Sequence, residues 1–312
     1  MIVIRQYNKD TDFDIWNNFV VGAKNSLFMH DRNFMDYHAD RFVDNSLMFF
    51  DDEDLLALLP CNKKDNVLYS HGGLTYGGFI TDTSMKQHKM LDCFEVLKEY
   101  MKQNGFKSII YKIIPYCYDT NASQEDLYAL FRNNAKVLKI EASTLVDFMY
   151  PIKMPKGRKA QIGRAKREGV TIELSTDYES FIELENQVLS EHHNTKAVHT
   201  GAELTKLHNN FPDKIELYAA MYQGKMIAGT VVFVYNNVIH TQYMAANPIA
   251  REIGALDYAV SEVIAKYKES KRYLDFGIST EEAGQILNEG LISQKEGFGG
   301  RTIAYQTWQL DI

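Results

Sequence analysis

The chain has few cysteines and prolines and no long apolar run: its 312 residues include 3 cysteines and 6 prolines. Cys61, Cys93 and Cys117 lie far apart in the sequence and match no metal-binding spacing, which is typical of a reduced, cytoplasmic protein. No apolar run reaches the roughly eighteen residues of a membrane span, and the amino terminus soon becomes charged. We therefore expect neither a membrane span nor a secretion signal.

An excess of positive charge is also absent. The net charge of −7 at pH 7 excludes a surface that is basic overall, so a tRNA contact would need a local basic patch. The hydrophobic content of 45% is enough for well-filled cores. A chain of this length predicts two domains.

Two halves of the chain repeat one order of predicted elements. Each half reads as a strand, two helices, three strands, a helix and a final strand. In the first half this series runs from Ile2–Tyr7 to Lys107–Ile114, and in the second from Val170–Ser175 to Tyr273–Gly277. The sequence therefore predicts an α+β fold with two similar parts.

A linker separates these halves. The segment Tyr150–Gly157 contains two prolines and a glycine, which disfavour regular structure. We place one domain at residues 1–150 and the other at residues 151–312, with a basic helix at 156–168 near the start of the second.

Near the end of the chain, charged side chains surround a glycine-rich turn. An apolar strand carries Asp275 to its end, and Glu281 follows in what reads as a helix start. That helix should end at Gly297, where a glycine-rich run begins. Lys295 lies just before this turn and Arg301 just after it. The pattern indicates a functional site rather than a purely structural tail.

Two motifs resemble the FemAB-like branch of the GNAT (Gcn5-related N-acetyltransferase) superfamily. The first is DFGIS at residues 275–279 with KEGFGG at residues 295–300, and the second is the basic segment KGRKAQIGRAKREG at residues 156–169. Members of this branch transfer an acyl or aminoacyl group to an amine. The resemblance implies tandem GNAT-like domains, each a mixed sheet flanked by helices, with a cleft between the halves.

Such a transfer requires a proton acceptor for the amine and a group that stabilises the oxyanion. Asp275 or Glu281, together with His240, are the candidate proton acceptors, although His240 could equally be a hydrogen-bonded histidine inside the sheet. The resemblance implies that Lys295 steadies the carbonyl oxygen or a phosphate, because the family's lysine lies in the same K-x-G-F-G context. An ion pair that only ties down the tail is the alternative.

The basic helix stands out on an acidic chain. Lys156, Arg158 and Arg164 would suit the phosphates of a nucleotide-linked substrate or of CoA, and we add Arg301 to these substrate-binding candidates. A solvated charged helix face is the alternative.

Three further candidates bind substrate in this interpretation. His71 and Tyr76 lie in a loop with four glycines, which indicates either backbone exposed to a ligand or a tight chain crossing. Tyr243 lies on the predicted strand that faces the acceptor amine in GNAT domains.

Arg251 and Gly254 partly match the superfamily's R-x-x-G-x-G/A phosphate loop and are the cofactor-binding candidates. Leu256 replaces the last small residue, which weakens the case for pyrophosphate at a helix start. Glu191, His192 and His193, with the nearby histidine at 199, match no zinc spacing, so we expect no metal.

We therefore predict an N-acyltransferase that moves an acyl group from acyl-CoA, with acetyl-CoA as the expected donor, to the amine of an amino sugar or cell-envelope precursor. Its partner would be a small-molecule or nucleotide-linked sugar. One alternative is FemAB-type transfer from aminoacyl-tRNA to a peptidoglycan precursor, which net acidity and the lack of a coiled-coil heptad run disfavour. The other is a non-catalytic module that binds a nucleotide-linked glycan.

Overall fold

The computed structural model describes residues 1–193 and 196–312, and for residues 191–193 it describes the backbone alone. Its contacts divide the chain into two compact units. The first unit comprises Met1–Glu141 and Ala304–Ile312, and the second comprises Ala142–Ile303. The division at residue 150 that the linker suggests stays a prediction.

The first half of the chain contains short strands and four helices. The helices are α1 (Lys9–Gly22), α2 (Arg32–Met35), α3 (Gln87–Gln103) and α4 (Glu125–Arg132). The strands are β1 (Ile2–Gln6), β2 (Val43–Asp44), β3 (Leu47–Asp51), β4 (Asp54–Leu59), β5 (Asn62–Lys64), β6 (Val67–Tyr69), β7 (Ile80–Thr81), β8 (Ser108–Lys112) and β9 (Lys136–Asp147).

Within its described residues, the second half contains six α-helices and longer strands. The helices are α5 (Lys156–Arg167), α6 (Tyr178–His193), α7 (Gly201–Asn210), α8 (Pro248–Ile253), α9 (Ala255–Tyr267) and α10 (Glu289–Glu296). The strands are β10 (Thr171–Ser175), β11 (Ile215–Tyr222), β12 (Lys225–Val234), β13 (Val238–Ala246), β14 (Tyr273–Ile278), β15 (Thr280–Glu281), β16 (Ile286–Leu287) and β17 (Arg301–Asp311).

The first unit is built on two groups of strands and the helix α3. Strands β1, β3, β4 and β7 form one sheet in that order, and β17, β8, β6, β5 and β2 are neighbours in another. Met90, Phe94, Leu97 and Met101 recur at three- and four-residue spacing along α3 and are all buried in the core of this unit. This apolar stripe explains why α3 packs against the strands.

The second unit has the strand order β10, β11, β12, β13, β14, β9. The strands β13 and β14 run parallel, and the other neighbours are antiparallel. Ala228 of β12 shares a core with Val260 and Val263 of α9. The next residue, Gly229, faces the opposite side, where a Cβ would lie 3.1 Å from the Phe181 ring of α6. Helices α9 and α6 therefore cover opposite faces of the sheet.

The predicted α+β architecture of two similar halves is confirmed, because each unit contains a strand, two helices, a meander, a further helix and a strand. The predicted helix start at residues 279–282 is wrong. Thr280–Glu281 pair with β16 instead, and Ala283 has a φ of 54°, which a helix does not allow. Helix α10 begins at Glu289, where the side chain of Asn288 caps it, and ends before Gly297 as expected.

Candidate active site

A buried carboxylate on β14 is the centre of a hydrogen-bonded group. Asp275 is fully buried and lies within β14 rather than at its end, because the strand continues to Ile278. Its Oδ2 lies 3.0 Å from Nδ1 of His240. Its Oδ1 accepts hydrogen bonds from Oγ of Ser143 (2.6 Å) and from the backbone N–H of Gly277 (3.0 Å). His240 and Asp275 meet because they are opposite each other in the β13–β14 register.

Lys295 reaches this group from α10 and binds backbone there. Its Nζ donates hydrogen bonds to the carbonyl oxygens of Gly277 (3.0 Å) and Ile278 (2.6 Å). The side chain is 4% exposed, and this burial lowers the pKa of the ammonium to about 8, against the opposing effect of the Asp275 charge. The structure thus brings Asp275, His240 and Lys295 together, and their catalytic roles stay a prediction.

Glu281 lies apart from this group in the described structure. Its side chain is exposed and accepts a hydrogen bond from Nδ2 of Asn288 at 2.9 Å, since the segment forms β15 instead of a helix start. Tyr243, on the same strand as His240, has its hydroxyl 2.6 Å from Nδ1 of His199. The predicted contact of Tyr243 with an acceptor is not tested by this geometry.

A cleft of 1080 Å³ lies within the second unit. The β13–β14 pairing covers only three residue pairs, ending at His240, and β13 then continues to Met244 and Ala246, which line the cleft. The lining also includes three residues with amide side chains, which are Gln161 of α5, Asn288 at the cap of α10, and Gln294 of α10. Of the described residues that line this cleft, none belongs to the Asp275, His240 and Lys295 group.

Arg158 lines the cleft, but its guanidinium already has partners. It forms an ion pair with Asp257 of α9 and donates a hydrogen bond to the carbonyl oxygen of Gln294 at 2.7 Å. Its Cζ lies 4.4 Å from the centre of the Phe298 ring. Burial raises the pKa of Asp257, and Arg158 opposes that rise. Arg158 therefore ties α5 to α9 and α10.

We expect Arg158→Ala to lower the free energy of unfolding by about 2–3 kcal/mol, because a charged hydrogen bond to Asp257 is lost in a partly buried site. Arg164→Ala is the matched control. The Arg164 guanidinium lies 3.0 Å from Glu252, and these side chains are 40% and 72% exposed, so its loss should cost about 0–1 kcal/mol. Urea unfolding measures both changes, and equal losses would contradict a structural role for the Arg158 pair.

The phosphate-loop candidates Arg251 and Gly254 both line the cleft. Nε of Arg251 donates to the carbonyl oxygen of Ala246 at 3.1 Å. Gly254 starts α9 with a φ of +80°, and a Cβ there would lie 2.6 Å from the carbonyl oxygen of Gln161, so only glycine fits. This crowding and the carboxylate of Asp257 disfavour pyrophosphate at the start of α9.

The remaining predicted binders are placed elsewhere. Lys156 is exposed at the start of α5, and Arg301 is exposed at the start of β17 and donates to the carbonyl oxygen of Gly300. Neither is among the described residues that line the cleft. Their contacts with substrate, like that of Arg164, stay a prediction.

His71 and Tyr76 lie in the interior of the first unit, 3% and 2% exposed. The hydroxyl of Tyr76 is hydrogen-bonded to those of Tyr118 (3.0 Å) and Tyr305 (2.5 Å). Burial holds the pKa of His71 well below its usual value. A Cβ at Gly77 would lie 2.0 Å from a backbone carbonyl oxygen, so at this glycine the chain crosses closely over itself. A ligand role for His71 and Tyr76 stays a prediction.

Sequence reasoning missed Glu185, which lines the cleft from α6. It is 8% exposed, and Oε2 has no hydrogen-bond partner among the described residues. Burial raises the pKa of this carboxyl to about 7. Its position in the sequence could have identified it. Phe181, Glu185, Val188 and Leu189 fall on one helical face, and Glu185 is the charged residue among them.

The described part of the chain contains neither a candidate metal site nor a candidate membrane-spanning helix. There, no group of three or more His, Cys, Asp or Glu side chains could hold a metal ion. The side chains of Glu191, His192 and His193 lie outside the described residues. No described helix combines the length and apolarity that crossing a membrane requires.

Comparison with protein families matches residues 156–283 to the acetyltransferase (GNAT) domain. Most of the second unit is therefore similar to a GNAT domain. The match covers α5, α6, β13, α8 and α9, which together supply more than half of the residues that line the cleft. It confirms the predicted class of enzyme, an acyltransferase. No curated protein sequence matches the chain.

Solved structures share the fold of this chain at low sequence identity. FemX matches with a TM-score of 0.70 at 10% identity, covering 99% of this chain and 97% of FemX. The C-terminal domain of a protein assigned as a lysylphosphatidylglycerol synthetase from Agrobacterium fabrum gives a TM-score of 0.64 at 12% identity, with 97% and 92% coverage. A tandem GNAT protein from the clavulanic acid biosynthesis pathway gives 0.55 at 10% identity, with 100% and 98% coverage. With the match to the GNAT domain, these structures confirm the predicted tandem GNAT-like fold.

Proposed function

We propose that this protein is an N-acyltransferase that moves an acyl group from acyl-CoA, acetyl-CoA in the first instance, to the amine of an amino sugar or similar cell-envelope precursor. The observation that supports this best is the 1080 Å³ cleft of the GNAT domain. Its volume exceeds the roughly 300–1,000 Å³ of a site for one drug-sized ligand. The reactive ends of a donor and an acceptor can therefore enter together.

The lining of the cleft suits a sugar acceptor. The amides of Gln161 and Gln294 can donate hydrogen bonds to sugar hydroxyls and accept hydrogen bonds from them. Leu189 and Met244 provide apolar surface for the face of a ring. We place the reaction in the cytoplasm, since the three cysteines are buried and form no disulfide in the described structure, which fits a reducing compartment.

Aminoacyl-tRNA is the second candidate donor, and the start of α9 favours it. An ordinary CoA site would put pyrophosphate there, whereas here the Asp257 carboxylate and the Gln161 backbone occupy the surroundings of Gly254. The fold is also that of FemX and of a protein whose name specifies lysylphosphatidylglycerol, an aminoacyl ester, as its product. Lys156, exposed beside the cleft, would then contact the tRNA backbone.

The two donors are separated by a binding and turnover experiment. Acetyl-CoA at about 100 times its Kd should stabilise the protein by about 2.7 kcal/mol and raise the Tm accordingly. Glucosamine added to that mixture should release CoA thiol and form the N-acetylated sugar, which mass spectrometry identifies. Arg251→Ala should weaken acetyl-CoA binding by about 1.5–3 kcal/mol, because it removes a charged donor from the cleft wall.

Arg132→Ala is the control for that variant, because Arg132 is exposed and belongs to the first unit. The proposal is contradicted if neither acetyl-CoA nor longer acyl-CoAs raise the Tm or release thiol with any amine of a panel. Aminoacyl transfer from total tRNA charged with mixed amino acids would then establish the second candidate.

A further inference from the structure

Glu185 is a buried acidic residue in the wall of the cleft. The side chain lines the cleft, yet Oε2 is buried and no described group donates a hydrogen bond to it. The apolar side chains of Val188, Leu189 and Met244 line the same cleft. A carboxylate in such surroundings lacks the stabilisation that water or a donor would give it, and it gains most from a cation that enters the cleft.

The other charged groups of the cleft do not supply that cation. Arg158 of α5 is paired with Asp257 of α9, and Arg251 of α8 donates to the backbone oxygen of Ala246. From β13, which packs against α6, Tyr243 bonds His199. Helices α7 and α10 contribute no charged residue to the described lining. Among the described charged residues that line the cleft, Glu185 is therefore the one that can bind an incoming cation.

We propose that Glu185 binds the ammonium group of the acceptor and removes its proton, which makes it a catalytic residue of the acyl transfer. This inference rests on the proposed function and specifies its substrate class, a primary amine that enters the apolar side of the cleft as a cation. The raised pKa of about 7 supports it, since a proton acceptor works best when its pKa is near the working pH.

The step balances in protons and electron pairs. The Glu185 carboxylate takes a proton from R–NH₃⁺ and leaves R–NH₂ with a free electron pair. The amine nitrogen attacks the thioester carbonyl carbon, a C–N bond forms, and the C–S bond breaks as the thiolate leaves. The second amine proton goes to the thiolate to give CoA thiol, and Glu185 releases its proton to solvent before the next turnover.

The experiment compares Glu185→Gln with Glu183→Gln. The two glutamates lie on the same helix, and Glu183 is exposed and outside the cleft lining. We expect kcat/KM with acetyl-CoA and glucosamine to fall at least about a hundredfold in Glu185→Gln and to stay unchanged in Glu183→Gln. The rise of kcat/KM through about pH 7 in the parent protein should disappear in Glu185→Gln and persist, shifted, in Glu185→Asp. The Tm of Glu185→Gln should be equal or higher, because glutamine carries no charge to desolvate.

Two outcomes overturn this inference and leave the proposed function standing. One is normal turnover in Glu185→Gln, and the other is an unchanged acidic limb of its pH profile. If the parent protein turns over no amine with any donor, the proposed function fails instead. Carboxyl ¹³C NMR then tests the inference on its own. The Glu185 signal is assigned by its loss in Glu185→Gln, and its chemical shift should change when glucosamine or ethanolamine is added. A signal that both amines leave unmoved overturns it.

Discussion

Lys295→Met is expected to lower turnover per folded molecule by about a hundredfold to a thousandfold, or roughly 2.7–4 kcal/mol of transition-state stabilisation. The ammonium is the charge that would face the developing oxyanion or a phosphate next to the glycine turn. Methionine keeps most of the volume and removes the charge. The variant should also lose some stability, because the carbonyl oxygens of Gly277 and Ile278 lose their donor.

Lys271→Met is a matched control for this effect. Nζ of Lys271 also donates to two backbone carbonyl oxygens, those of Tyr235 (2.7 Å) and Asn236 (3.1 Å), and burial lowers its pKa as well. This variant should lose stability and keep its turnover per folded molecule. Steady-state kinetics, normalised to the folded fraction from circular dichroism, separate the two lysines. Equal turnover in both variants would show that Lys295 only ties α10 to β14.

Asp275→Ala should lower the free energy of unfolding by about 3–5 kcal/mol, because it removes the acceptor of three buried hydrogen bonds and each unsatisfied buried group costs about 1–3 kcal/mol. His240, the Ser143 hydroxyl and the Gly277 N–H would all lose their acceptor in a site closed to water. Urea unfolding of the parent and variant measures the change.

Asp213→Ala is the control for a change of composition alone, because Asp213 is exposed and should stay within about 0.5 kcal/mol. A loss below about 1 kcal/mol in Asp275→Ala would mean that the buried hydrogen bonds are replaced by others. The same two proteins test the predicted catalytic role of Asp275, since turnover per folded molecule should stay unchanged in Asp275→Ala if Glu185 alone removes the amine proton.

The order of elements could be predicted because it rests on local patterns. The apolar stripe of α3 and the end of α10 at Gly297 depend on spacing and on glycine, which the sequence displays directly. The segment after Ser279 could not be predicted in this way. Its hydroxyl and carboxylate residues suit a helix start, but pairing with β16 and the positive φ of Ala283 decide the conformation.

The site was predictable where motif residues are adjacent in the sheet. Asp275 and His240 meet through strand register, which alternation and topology imply. Arg158 was recognised as functional by its motif, but its pairing with Asp257 depends on how α5 crosses α9, and spacing alone does not give this. Sequence analysis did not identify Glu185, because a single acidic residue within an apolar helical stripe is expected to be exposed to solvent. The cleft beside it is visible only in the structure.

The nine residues from Ala304 to Ile312 have a consequence for how the first unit folds. They belong with Met1–Glu141, where β17 pairs with β8 and Tyr305 meets Tyr76. The last strand of the first unit therefore lies more than 160 residues after the rest of that unit in the sequence, beyond the whole of the second unit. Contacts this distant along the chain slow folding. The first unit can therefore complete its sheet at β8 only by closing a very long loop of chain, and we expect this step to limit its folding rate.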